Sequence, residues 1–157
     1  MIEIAGLPAH ILLVHGVVVL APLAGLGAIV YAAWARARLY LAWPLGVLSL
    51  GLVPLSLLTA EAGEQLQKMR PSSALVQEHA EQGDVLKYVA VIFFLVVAAM
   101  LVVTHEPFGS RLRFLGGLRE HRAVRLMVLV AGVAVGLLFL YQSIITGHSG
   151  AVSVWAR

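Results

Sequence analysis

An all-α integral membrane bundle of four helices, with both termini on the outer side, is the fold this sequence predicts, and three observations predict it. The 157-residue chain is 61% hydrophobic and 12% charged, whereas soluble domains run at about 45–50% apolar and about 25% charged. Its apolar residues fall in stretches long enough to cross a hydrocarbon core of about 30 Å. Its Lys and Arg residues are divided unevenly between the two ends of those stretches.

The first span is expected over about 9–34. It follows Met1-Ile2-Glu3-Ile4, which lacks the basic start of a signal peptide, and it exceeds a signal-peptide core in length, so the helix is read as retained. The second, third and fourth spans are expected over about 39–60, 85–104 and 126–146. Together they make a single transmembrane domain over 1–157, with no room left for a soluble catalytic domain. Pro22 and Pro54 fall inside the first two spans, where each removes a helical hydrogen bond and favours a bend. Pro71-Ser72-Ser73 interrupts the second connection, and a serine there caps a new helix. The third helix then begins above the membrane, and His79, Leu86 and Phe93 share one stripe facing the bundle.

Orientation follows from the basic residues, which cytoplasmic loops retain. Arg36, Arg38, Arg111, Arg113, Arg119, Arg122 and Arg125 flank the two hairpin loops, while Lys68, Arg70, Lys87 and Arg157 lie at the other end; these are all eleven. The hairpin loops are therefore inside. The net charge of +3 reflects topology and not a nucleic-acid surface, because the basic residues sit beside apolar segments without interleaved aromatics. The partner this composition calls for is the lipid bilayer.

The even helices end alike: Ser56-Leu57-Leu58-Thr59-Ala60-Glu61-Ala62-Gly63 aligns with Ser143-Ile144-Ile145-Thr146-Gly147-His148-Ser149-Gly150. The odd helices begin alike, His10-x4-His15 matching His79-x4-Asp84. Two repeated hairpins related by an axis along the membrane normal would produce this, as in parallel-repeat transporters. Chance matching of small packing residues is the competing explanation.

Cysteine is absent, which excludes disulfides, thiolate and iron–sulfur sites and covalent c-type haem. The chemistry falls to the histidines. His10, His15, His79 and His148 are outside, and His105 and His121 sit among the arginines inside. His15 lies one turn and a half below His10 and off its face, within the apolar zone where an ionisable group needs a partner. Gly147 is a candidate helix C-cap, which would set His148 in a tight turn over the bundle mouth.

Neutral imidazoles converging in a bundle hold a haem iron from two sides or a transition metal directly. Two expectations stand. One is a redox protein carrying b-type haem or a transition metal on His10, His15, His79 and His148, active in electron transfer. The other is a copper-, zinc- or iron-binding or -sensing protein in which Glu61 and Asp84 join the histidines as ligands. The repeat sorts these into His10, His15 and Glu61 against His79, Asp84 and His148. No spacing matches a strong metal motif such as His-Glu-x-x-His. A third expectation is an accessory subunit of a larger membrane complex, with Gln142, Ser143 and Thr146 as packing glue or a quinone contact. Nothing in the sequence points to an enzyme.

Leu7-Pro8-Ala9-His10-Ile11-Leu12-Leu13-Val14-His15, His79-Ala80-Glu81-Gln82-Gly83-Asp84 and Thr146-Gly147-His148-Ser149-Gly150 resemble the motifs of the bacterial DUF2231 family of four-helix membrane proteins. The family's function is unknown. The chain departs from its pattern at Ile11, Gly16 and Ala151 and keeps all four histidines. The resemblance implies a bacterial plasma membrane location. Because some members are fused to Rieske or cytochrome-like domains, it also implies a redox partner or respiratory-type complex.

Overall fold

The computed structural model describes residues 3–4, 6–69, 73–109, 117 and 120–155. A two-residue hairpin opens the chain, β1 (Glu3–Ile4) pairing antiparallel with β2 (Leu7–Pro8). Gly6 turns it at φ +78°, a left-handed value that glycine takes without a Cβ clash. Helix α1 (Ala9–Ala33) follows directly, and a 3-10 turn (Ala35–Ala37) leads into α2 (Arg38–Gln67). After α3 (Ala74–Thr104) come the one-turn α4 (Glu106–Gly109) and the long α5 (Arg122–Trp155). Four helices, α1, α2, α3 and α5, are long and apolar enough to cross a membrane.

The helices outrun the apolar spans. α2 continues to Gln67 because Glu61, Glu64, Gln65, Leu66 and Gln67 are good helix formers; hydropathy marks the hydrocarbon and not the end of the helix. α3 begins well before its apolar stretch, and Ser73 Oγ caps it by accepting from the Val76 N–H at 3.2 Å. The neighbouring Pro71 and Ser72 lie outside the described residues, as do Arg70, Arg111, Arg113, Arg119 and Arg157. The C-cap expected at Gly147 is corrected: α5 runs through it to Trp155. Gly147 faces Val18 across the α1–α5 seam, so its small size serves helix packing, and His148 sits on a continuous helix instead of in a turn.

Each long helix packs on two others, in the order α1–α2–α3–α5 and back to α1. Tyr31, Phe93, Phe139, Leu52, Met100 and Val97 are the largest wholly buried side chains, and Phe93 stacks on Phe139 with centroids 4.5 Å apart. The outside of the bundle is equally apolar, with Val19, Leu23, Leu50, Leu95 and Leu137 exposed. A soluble monomer rarely shows such a surface. Trp34, Tyr40 and Trp43 are exposed towards the arginine end, and Tyr88, Tyr141 and Trp155 towards the histidine end, where interfacial aromatics belong.

The buried positions repeat in register. Val17, Ala21, Ala24, Ala28, Tyr31 and Ala32 of α1, shifted by the 69 residues that separate His10 from His79, become Leu86, Ala90, Phe93, Val97, Met100 and Leu101, all buried in α3. Leu45, Ser49, Leu52, Ser56, Thr59 and Ala62 of α2, shifted by the 87 residues separating Ser56 from Ser143, become Gly132, Gly136, Phe139, Ser143, Thr146 and Ser149, all buried in α5. The two hairpins thus bury the same faces about a shared axis, and the second has the longer loop at the arginine end.

Candidate functional site

His10 and His79 enter the bundle from the starts of the two odd helices and meet across its axis. Their ring centroids are 6.1 Å apart and their planes 72° from parallel. The Thr59 carbonyl accepts from His10 Nδ1 at 2.8 Å. His79 Nδ1 bonds Ser149 Oγ at 3.1 Å, whose repeat equivalent is Ala62, so the two rings use different acceptors on the even helices. Each imidazole also lies over a glycine. A Cβ on Gly63 would come within 2.9 Å of His10, and one on Gly150 within 2.9 Å of His79.

These bonds assign the tautomers. A carbonyl only accepts, so His10 Nδ1 carries its proton. The Ser149 hydroxyl donates to the Thr146 carbonyl at 3.0 Å, which leaves its oxygen to accept from His79 Nδ1. In its neutral form each ring is therefore held as the Nδ1–H tautomer, which puts the lone pair on Nε2. An N–H bonded to a carbonyl or hydroxyl behind the ring is how metal-binding histidines are oriented.

A cavity of about 40 Å³ adjoins both imidazoles. Ten of its lining residues are five pairs related by the repeat: His10 and His79, Val14 and Gly83, Val17 and Leu86, Ser56 and Ser143, Thr59 and Thr146. The space sits on the pseudo-twofold axis and holds an ion or a few waters, far less than a porphyrin. Its hydroxyls are engaged with backbone: Ser56 donates to the Val53 carbonyl at 3.0 Å, Thr59 to that of Leu55 at 2.6 Å, and Ser143 to that of Leu140 at 2.8 Å. Beside the cavity Gln142 Nε2 donates to Gln82 Oε1 at 2.8 Å, and Thr146 Oγ1 to the Gln82 carbonyl at 3.2 Å.

The other sequence candidates lie elsewhere. His15 is exposed, its Nδ1 bonded to the Ile11 carbonyl of its own helix. His148 and Glu61 are exposed, with Glu61 accepting weakly from Gln65 at 3.4 Å. Asp84 is paired with Lys87 at 2.6 Å. His105, at the arginine end, has a buried Nδ1 without a hydrogen-bond partner among the described residues and lies 5.4 Å from the Phe108 ring, and His121 is exposed. Among the described residues no three His, Asp or Glu side chains form a group able to hold a metal ion. Sequence reasoning missed the carbonyls of Thr59 and Thr146, Ser149 Oγ and the glycines under the rings. The signal for them was the aligned Ser-x-x-Thr-x-x-x-Gly at the ends of the even helices.

No protein-family model, curated protein or solved structure matches this chain.

Proposed function

We propose that this is a multi-pass protein of the DUF2231 type that binds a single transition-metal ion through His10 and His79 at the outer mouth of its bundle. The observation that carries the reading is the matched pair of imidazoles, each Nδ1 hydrogen-bonded to an acceptor on an even helix and both rings bordering one small cavity. Imidazole nitrogen suits copper, zinc, iron and nickel, with copper bound most tightly among them. A b-type haem finds no volume between these rings, so the ion is preferred to the macrocycle. The outward placement of the site rests on the basic residues at the opposite end, and the bacterial plasma membrane on the family resemblance. A metal centre at this surface suits an electron carrier or a metal-handling protein, with any redox partner docking over the mouth.

The test is purification in mild detergent followed by metal analysis and absorption spectroscopy. We expect one transition-metal ion per chain and no Soret band. His10→Ala and His79→Ala each lose the ion, and His15→Ala and His148→Ala keep it. A folded protein that takes up no transition metal refutes the reading, and a Soret band lost with His10 or His79 restores haem.

A further inference from the structure

Building on the metal-binding reading, we infer that the site is selective for monovalent copper, held two-coordinate between Nε2 of His10 and Nε2 of His79, with Gly63 and Gly150 as positioning residues that set the gap. Three features of the site point to this ion.

The first is the number of donors. Two neutral imidazoles face the cavity, and its hydroxyls are already bonded to helix carbonyls. Among the described residues no carboxylate lines the cavity, and no third His, Asp or Glu groups with the two imidazoles. Zinc in proteins takes four ligands, at least three of them from side chains. Copper(I), with a filled d shell, is satisfied by two nitrogens in line. The second feature is charge. With neutral ligands the full ionic charge stays in a site walled by Val14, Val17 and Leu86, and the desolvation cost rises steeply with charge, favouring a monocation over a dication.

The third feature is distance. Two metal–nitrogen bonds of about 2.0 Å, with each nitrogen about 1.1 Å from its ring centre, place the centroids about 6.2 Å apart for a linear centre. The observed separation is 6.1 Å. The planes of the two rings are free to rotate about a linear axis, so the 72° between them fits as well as any other angle. The nitrogens of one imidazole diverge widely, so with each Nδ1 bonded to an even helix, Nε2 is the nitrogen left for the ion. The glycines permit that anchoring. A methyl group on Gly63 would meet His10 Nδ1 at 2.9 Å, and one on Gly150 would meet His79 Cε1 at 2.9 Å. Either would push its ring off its acceptor.

The test uses the full-length protein in detergent under anaerobic conditions. Copper(I) is titrated against a chromogenic copper(I) chelator, zinc(II) and cobalt(II) are titrated in parallel, and the copper-loaded protein is examined by X-ray absorption. We expect one copper(I) per chain with the absorption-edge signature of two-coordinate copper and two nitrogen neighbours. Gly63→Ala and Gly150→Ala should each weaken copper(I) by about tenfold or more, in the range of lost outer-shell support, and alter the edge. Gly51→Ala, where a Cβ meets nothing within 4 Å, should change neither. Stoichiometric zinc or cobalt that depends on both histidines, with copper(I) no tighter or three- to four-coordinate, overturns the copper(I) inference and leaves metal binding standing. Uptake of no metal overturns both. Folded glycine variants with unchanged affinity and edge overturn the positioning role.

Discussion

Gly25 and Gly136 mark the tightest crossing in the bundle, and substituting them tests the packing directly. A Cβ on Gly25 would lie 2.8 Å from the Gly136 carbonyl oxygen, and a Cβ on Gly136 would lie 2.8 Å from that of Gly25 and 2.9 Å from Ile29. A backbone oxygen cannot rotate aside, so α1 and α5 must separate by roughly half an ångström to restore ordinary contact. Overpacking of this kind costs about 1–3 kcal/mol, set against a helix-propensity gain of up to about 1 kcal/mol for replacing glycine by alanine. Gly51→Ala keeps the gain without the clash, so the difference in unfolding free energy between Gly136→Ala and Gly51→Ala isolates the packing cost. Once one methyl has parted the helices the second meets less resistance, and Gly25→Ala/Gly136→Ala should cost less than the sum of its parts. Reversible unfolding in mixed micelles, followed by circular dichroism, measures all four variants. If Gly136→Ala proves as stable as Gly51→Ala, the close crossing is refuted.

Gln142 and Gln82 occupy the positions that Leu55 and Leu13 hold in the first hairpin, under the same shifts of 87 and 69 residues. Gln142→Leu strands the Gln82 side chain and should cost about 1–3 kcal/mol, whereas Gln82→Leu/Gln142→Leu recreates the apolar pair and should restore most of the loss; the same unfolding assay decides, and a double variant no better than the single one counts against the repeat as a packing rule. At the arginine end Tyr31 Oη bonds Thr104 Oγ1 at 2.8 Å, and Thr104 keeps a bond of 2.6 Å to the Met100 carbonyl without it. Tyr31→Phe should therefore cost only about 0.5–1 kcal/mol, and a loss above about 2 kcal/mol would show that the hydroxyl does more than bridge α1 and α3.

The four-helix architecture was legible because a bilayer imposes it: apolar length and basic asymmetry read the spans without tertiary information. The ends of the helices were not, since Glu64, Gln65 and Gln67 extend α2 beyond the apolar stretch through helix propensity alone. Gly147 was misread for a related reason. Glycine signals a C-cap when the chain stops, but in a membrane bundle it equally signals close packing, and only the neighbouring Val18 decides between them. The histidines were found by residue type, and their place at the end of the bundle opposite the arginines by the charge pattern. Their grouping was another matter. Helix geometry kept His10 and His15 off one face, yet the stripe of α1 that turns inwards is set by the contacts with α2 and α5. Those contacts bring His10 to His79 and leave His15 at the surface.

The two halves match at the paired histidines and glycines and differ in the packed interior, and the physical requirements of the two places account for this. Two rings that flank a small cavity on the axis do not compete for one space, and the histidine end repeats them: imidazole and glycine occur there in matched pairs. A packed interior on that axis has the opposite requirement, because two large side chains related by the axis compete for one space. The chain resolves this with unlike pairs, Ala24 where the other half has Phe93 and Tyr31 where it has Met100. The same asymmetry reaches the seams between hairpins. Gly25 and Gly136 bring α1 onto α5, and their equivalents Phe94 and Ser49 line a groove of about 240 Å³ between α3 and α2. The like pairs thus lie where the two halves face each other across open space, and the unlike pairs where one side chain must fill the space of two.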